Sequence, residues 1–358
     1  MRTSLAGVLS ETHVSARDIA PTSADAPVKL FASLGTAWLL LLSYVLVRWT
    51  TADYFGPTAP GPDIPPVSTL RFIRSLEGVI ALVVVWLIWE CIVKPLRKDG
   101  ELNADGLFVI TWFTLWFHDA MLNWIVHVFS YNSYALNFGN WTAEIPGWIS
   151  PRSHLVPEPA LAIGLSYIGQ CTMGAWGAMY LMQYCKERWP RIGNVSLTLL
   201  ALGTGMFLDW AAEHTMISFQ LMAYLSTVPA LSLCAGTLYQ FPLYEAVFFG
   251  GVVGFSGAMM YFKDDRGLTW AERGVDKLRI ARSRGGRTLL RWLAMMGLLH
   301  TVMFFFYSVP MQLFAVNGGP FPKDVPSYLL NGVCGAGTPY ACASPLSAIP
   351  RRTMTVAP

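Results

Sequence analysis

Seven apolar stretches recur along this 358-residue chain, and each is long enough to cross a bilayer as a helix. The hydrocarbon layer is about 30 Å thick, and about 20 helical residues span it. The stretches fall at about 30–47, 76–94, 106–129, 157–184, 194–217, 241–262 and 289–316. Composition points the same way. The chain is 54% hydrophobic and only 13% charged, whereas ordinary soluble domains carry about 25% charge. So little charge does not cover a soluble globule of this size, so a soluble enzyme or a disordered chain is a poor expectation. The expected fold is all-α, a bundle of about seven transmembrane helices in one domain over 26–318. A mobile arm over 1–25 precedes it, and a polar tail over 319–358 follows. A further run, Leu221–Leu238, contains Pro229 and several small residues. It is either an eighth span or a re-entrant or interfacial piece.

The few charges are unevenly placed. The loop near 94–105 holds Lys94, Arg97 and Lys98, and the loop near 185–193 holds Lys186, Arg188 and Arg191. The loop near 263–288 holds eight basic residues from Lys263 to Arg287. By contrast, 128–156 has only Arg152 and 218–240 has no basic residue. Basic loops stay cytoplasmic, so seven spans put the N-terminus inside and the C-terminus outside, in a plasma membrane of bacterial type. A net charge of +3 is too small to imply nucleic acid. Six cysteines are too few for a disulfide scaffold. Cys334 and Cys342 flank a short Gly-rich stretch in the tail, where a disulfide requires an oxidising compartment.

Two outer loops stand out. Residues 56–66, GPTAPGPDIPP, form a stiff Pro/Gly-rich connection. Residues 130–159 are long for an irregular loop and rich in aromatics, Asn, Ser, Pro and Gly. They are either a lid over a site or an interfacial aromatic belt, to which Tyr131, Tyr134, Trp141 and Trp148 would belong.

Ionisable groups at bilayer depth cost several kcal/mol and are therefore rare and mostly functional. In the third span, TWFTLWFHDAMLNWIVHVFS, helical spacing puts Trp112, Trp116, Asp119, Asn123 and His127 on one face. Asp119, Asn123 and His127 would form a polar ladder about 12 Å long, while His118 points away. In the fifth span Asp209 and Glu213 share a face at i and i+4, with His214 about 100° from Glu213. Two carboxylates so close in a low-dielectric site do not both ionise readily, and such a pair is a general acid–base device. Glu158, between Pro157 and Pro159, either complements the fourth helix's dipole or joins the site. Glu245, early in the sixth span, completes it. A metal held by His127, Asp119, Asp209, Glu213 and His214 is a weaker alternative, because six His without paired spacing do not resemble a di-iron box. No nucleotide, haem or hydrolase motif is present in the sequence.

The run FHDAMLNWIVHVFSYNSYALNFGNW, then IPGWISP, then VPEP, resembles the AveC-like spirocyclases, integral-membrane cyclases of spiroketal polyketides. The resemblance rests on an HD-x3-N element, SYNSY, a GNW turn, a PGW-x-SP turn and a PEP, all within one stretch between the third and fourth expected spans. It implies dehydrative cyclisation of a lipophilic hydroxylated or keto substrate, with no redox cofactor. On that reading the general acid is Asp209 or Glu213 and the partner acid or base is Asp119. Asn123 orients a hydroxyl or carbonyl, and His127 relays or tunes a proton. Trp112 and Trp116 line the pocket and stabilise a cation by their ring faces; Glu245, Glu158 and Tyr131 contact substrate. No metal is assigned. The expected partners are a lipophilic small molecule and the lipid bilayer, with no nucleic acid and an open oligomeric state. The rival readings are a proton-coupled transporter of a lipophilic molecule and a metal-dependent membrane oxidoreductase.

Overall fold

The computed structural model describes residues 27–343; the arm expected over 1–25 and the tail after residue 343 lie outside the described residues. Five helices are long and apolar enough to cross a membrane. They are α1 (Pro27–Thr50), α2 (Val67–Asp99), α5 (Asn194–Ser218), α6 (Leu243–Tyr261) and α7 (Arg284–Ala315). The protein is thus a helical, membrane-associated bundle. The expectation of about seven spans is met by five on length and composition.

The other two expected spans differ for separate reasons. The third is a 12-residue helix, α3 (Ala104–Leu115), followed by 3-10 turns over Trp116–His118 and Ala120–Asn123. The backbone then turns into a short strand, β1 (Phe129–Tyr131). Unwound backbone deep in a membrane protein persists only where other groups satisfy it. Here the Asn123 side chain accepts from Val128 N and Phe129 N and donates to Phe129 O. Gln312 of α7 accepts from Ile125 N and donates to Leu122 O. The fourth expected span is helical but opens with π-helical turns at Ala160–Gly164 and Tyr167–Cys171 before α4 (Thr172–Arg188). Its Ser, Tyr, Gln and Gly content leaves it outside the apolar set.

The run Leu221–Leu238 makes no span. It forms β2 (Met222–Tyr224), which pairs antiparallel with β1, and β3 (Ser232–Leu233), which pairs with β4 (Phe241–Pro242). The register sets Phe129 opposite Tyr224 and Tyr131 opposite Met222.

Bare glycine backbone brings the helices together. A Cβ on Gly35 of α1 would strike the Leu293 carbonyl of α7, and one on Gly297 would strike the Phe31 carbonyl of α1. Gly205 of α5 meets the Gly250 carbonyl and Gly254 of α6 in the same way. Without a hydrophobic drive between helices in lipid, such small-residue contacts supply the packing.

The loops gather at two ends. At one, Thr58 N donates to Asn137, Asp63 pairs with Ser327, and Arg152 donates to Gly332 O. A short helix, α8 (Ser327–Leu330), and the Cys334–Cys342 disulfide lie there. At the other end Lys263 faces Asp105, and Arg291 pairs with buried Glu272. The loops containing most of the basic residues therefore lie opposite the disulfide.

Candidate active site

The acids of the third and fifth expected spans meet. One cavity is lined by Asp119, Tyr131, Tyr167, Gln170, Asp209, Glu213 and Tyr307, among others. Its volume is about 30 Å³, which admits water but not an extended substrate.

Asp119 forms one wall. The break after Leu115 turns its carboxylate inward, where Oδ2 accepts from Tyr131 (2.8 Å) and Oδ1 from Tyr167 (2.8 Å). Two hydrogen bonds to one buried carboxyl group fix its orientation, so this acid is firmly positioned. Asp209 and Glu213 form the other wall, with Glu245 against them just outside the cavity lining. One carboxylate oxygen from each lies within 4.8 Å of the others. Tyr224 donates to Glu213 (2.7 Å). Asp209 Oδ2 and both oxygens of Glu245 receive no hydrogen bond from a hydroxyl, amide or basic group among the described residues; Glu245 is fully buried and meets the carboxyls of Asp209 and Glu213. The β1–β2 pair links the walls, since β1 carries Tyr131 to Asp119 and β2 carries Tyr224 to Glu213.

The remaining predicted residues are placed otherwise. The ladder of Asp119, Asn123 and His127 does not exist as a helix face, because the helix stops at Leu115. Asn123 is consumed by the backbone of its own turn. His127 donates from Nε2 to Pro151 O (2.9 Å) and meets Ser150. Trp112 is buried between Phe108 and Tyr167. Trp116 donates to Glu158 (3.2 Å) and packs edge-on against Trp141. Neither Trp is among the cavity-lining residues. Glu158 is buried and its carboxyl meets that of Asp119. His214 is exposed, stacked on Trp210. Among the described residues none of the histidines lines the cavity.

Tyr167, Tyr224, Gln170 and Tyr307 escape a reading of the sequence. The available signal is polar side chains within apolar runs. Several of these positions lie on π-helical turns: Tyr167 and Gln170 on Tyr167–Cys171, and Tyr307 on Phe304–Ser308. Such turns are frequent at functional sites, and they shift side chains off the 3.6-residue spacing that locates helix faces.

Outside the cavity, buried His118 and His300 form a chain. His118 Nε2 meets His300 Nδ1 (3.0 Å), His118 Nδ1 meets Ser308 (3.2 Å), and His300 Nε2 meets Thr114 (2.9 Å). Trp38 stacks on His300. His118 does point away from Asp119's partners, toward α7.

The protein is thus a helical, membrane-associated bundle in which acids of separate expected spans converge on one small cavity. The model of the family "Spirocyclase AveC-like" matches residues 101–329, more than half of the chain, and the protein belongs to that family. The matched region contains Asp119, Glu158, Asp209, Glu213 and Glu245. No curated protein and no solved structure matches the chain.

Proposed function

We propose that the protein is a membrane-embedded cyclase that closes a lipophilic hydroxy-ketone with loss of water, by general acid–base catalysis across the cavity. A dihydroxy-ketone closes to a hemiketal, expels its hydroxyl as water through an oxocarbenium ion, and is trapped by the second hydroxyl. The net change is loss of one water. The chemistry calls for a base at the attacking hydroxyl and an acid at the departing one. Asp119, oriented by Tyr131 and Tyr167, serves the attacking side. Asp209 or Glu213 serves the departing side, and their negative field stabilises the cation between. The observation that supports this most is that Asp119, Asp209 and Glu213 line a single cavity. Membership of the spirocyclase family supports the reaction class.

In this account the bilayer delivers the substrate, and the end bearing the disulfide faces outward with the N-terminus in the cytoplasm. The opposition of the basic loops and the Cys334–Cys342 bond supports that orientation. The test incubates membranes containing the protein with a lipophilic dihydroxy-ketone and follows product by mass. Formation of a product lighter by one water, lost in Asp119→Asn and Asp209→Asn, is expected. Uptake of unaltered substrate, changed in the same variants, would instead show a transporter.

A further inference from the structure

We infer that Asp209, Glu213 and Glu245 form a binding site for a hard divalent cation of the Mg²⁺, Mn²⁺ or Ca²⁺ class. The inference rests on the proposed reading of this cavity and gives its departing-side wall a ligand.

Three observations carry it. The first is convergence: one oxygen from each carboxylate lies within 4.8 Å of the other two. Metal–oxygen distances of about 2.0–2.6 Å put ligands of one ion no more than about 5 Å apart, and the three oxygens fall within that reach of one another. The second is deprivation. Glu245 is fully buried, yet among the described residues no hydroxyl, amide or basic group donates to either of its oxygens or to Asp209 Oδ2, and Glu245 meets only the other two carboxyl groups of the trio. Among the described residues none of the ion pairs of Lys or Arg involves these three acids. Buried carboxylates need pairing or a metal, and three of them carry up to three negative charges. Two shared protons or one divalent cation leave the same residual charge.

The third observation is rigidity. Asp209 and Glu213 sit one turn apart on α5, and Glu245 opens α6. Gly205 and Gly250 hold those two helices in backbone contact within about a turn of the acids. Tyr224 fixes one oxygen of Glu213 at 2.7 Å. Ligands on packed helices keep their geometry when the ion leaves. An all-oxygen set favours hard cations over thiophilic ones. A cation there faces the cavity and polarises a hydroxyl or carbonyl oxygen that enters it, in place of a proton from Asp209 or Glu213.

The test uses the full chain in detergent, stripped with EDTA and titrated with Mn²⁺, with free Mn²⁺ followed by electron paramagnetic resonance. One saturable site per chain is expected, lost in Glu245→Gln and retained in Asp105→Asn, an acid at the opposite end. Mn²⁺ should also raise the melting temperature of the stripped wild type, a readout that needs no variant. Asp209→Asn is the second variant if Glu245→Gln does not fold. Competition by Mg²⁺ and Ca²⁺ then ranks the ions. Absence of a saturable site, or a site that survives both substitutions, overturns the inference and assigns the shared charge to protons. Cyclisation separates the two claims. Full turnover by stripped protein that still fails in Asp119→Asn removes the cation and keeps the acid–base reading. Full turnover in Asp119→Asn and Asp209→Asn removes that reading, whatever Mn²⁺ does.

Discussion

The two walls of the cavity are built on opposite plans. The Asp119 wall is irregular: the helix ends at Leu115, the backbone unwinds, and the carboxylate is saturated by two tyrosines. The wall of Asp209, Glu213 and Glu245 is two continuous helices pressed together at glycines, with a π-helical turn over Ala246–Gly250 just after Glu245, and Asp209 Oδ2 and both Glu245 oxygens have no donor among the described residues. A saturated acid has one set position and one proton to give or take. An unsatisfied trio is a high-energy arrangement that persists only with a ligand, proton or cation, to relieve it. On the proposed function, the difference would let a single small space serve both the attacking and the departing oxygen.

The largest effect should come from the saturated wall. Asp119→Asn removes the base while keeping most of the hydrogen-bonding shape, and product formation should fall by about 10²–10⁴-fold. Tyr167→Phe removes only an orienting bond and should cost about tenfold, read as a lower kcat with expression unchanged. Equal losses in both variants would mean that orientation, not proton transfer, is what Asp119 supplies.

The regular wall should break through its backbone. Gly254→Val inserts methyl groups where the Ala201 carbonyl and Leu202 already lie. It should cost about 1–3 kcal/mol by overpacking, seen as a lower melting temperature, and should weaken any ligand held by the trio. Unchanged stability would show that α5 and α6 can separate freely, and the rigidity of that wall would be an error.

The unwound segment gives a smaller effect on turnover, and one of a different kind. Asn123→Ala removes the side-chain bonds to Val128 N, Phe129 N and Phe129 O and should destabilise by about 1–3 kcal/mol for each group left unpaired. Turnover per folded molecule should stay close to wild type. A large fall in turnover without loss of stability would return Asn123 to the catalytic role its sequence position implied.

The smallest effect lies outside both walls. Glu144 accepts from Arg48 (2.8 Å) and Tyr54 (2.9 Å). Partial burial pushes its carboxyl up, but the bonds from Arg48 and Tyr54 outweigh this and hold it below the usual range. A lowered folded value stabilises the protein above the unfolded carboxylate's range, and the benefit disappears as pH falls through the folded value. Glu144→Gln should flatten the melting temperature below about pH 4.5 and leave neutral turnover unaltered.

Much of the fold is legible because charge is expensive in lipid. Five of the expected spans are helices of the right length, and Asp119, Asp209 and Glu213 are conspicuous as acids inside apolar runs. The break after Leu115 is not legible, because its cause is distant: Gln312 on α7 holds backbone that would otherwise have to stay helical. That break is why Asp119, Asn123 and His127 part company. Glu245 stands out as a site residue but not as a third ligand, since sequence does not show that α5 and α6 touch at Gly205 and Gly254. Tyr131 stands out in the sequence, but Tyr167, Tyr224 and Tyr307 escape because Tyr in or beside a membrane span is ordinary, and only the β1–β2 pairing brings Tyr131 to Asp119 and Tyr224 to Glu213.

The central claim is that the two walls act on one substrate as a unit. A double-mutant cycle in the cyclisation assay tests it, with Asp119→Asn, Asp209→Asn and the pair compared at equal folded protein. Residues acting as a unit are strongly non-additive, so each single variant should lose nearly as much turnover as the double. Losses that simply multiply, or a single variant that keeps wild-type turnover, would contradict a shared catalytic cavity.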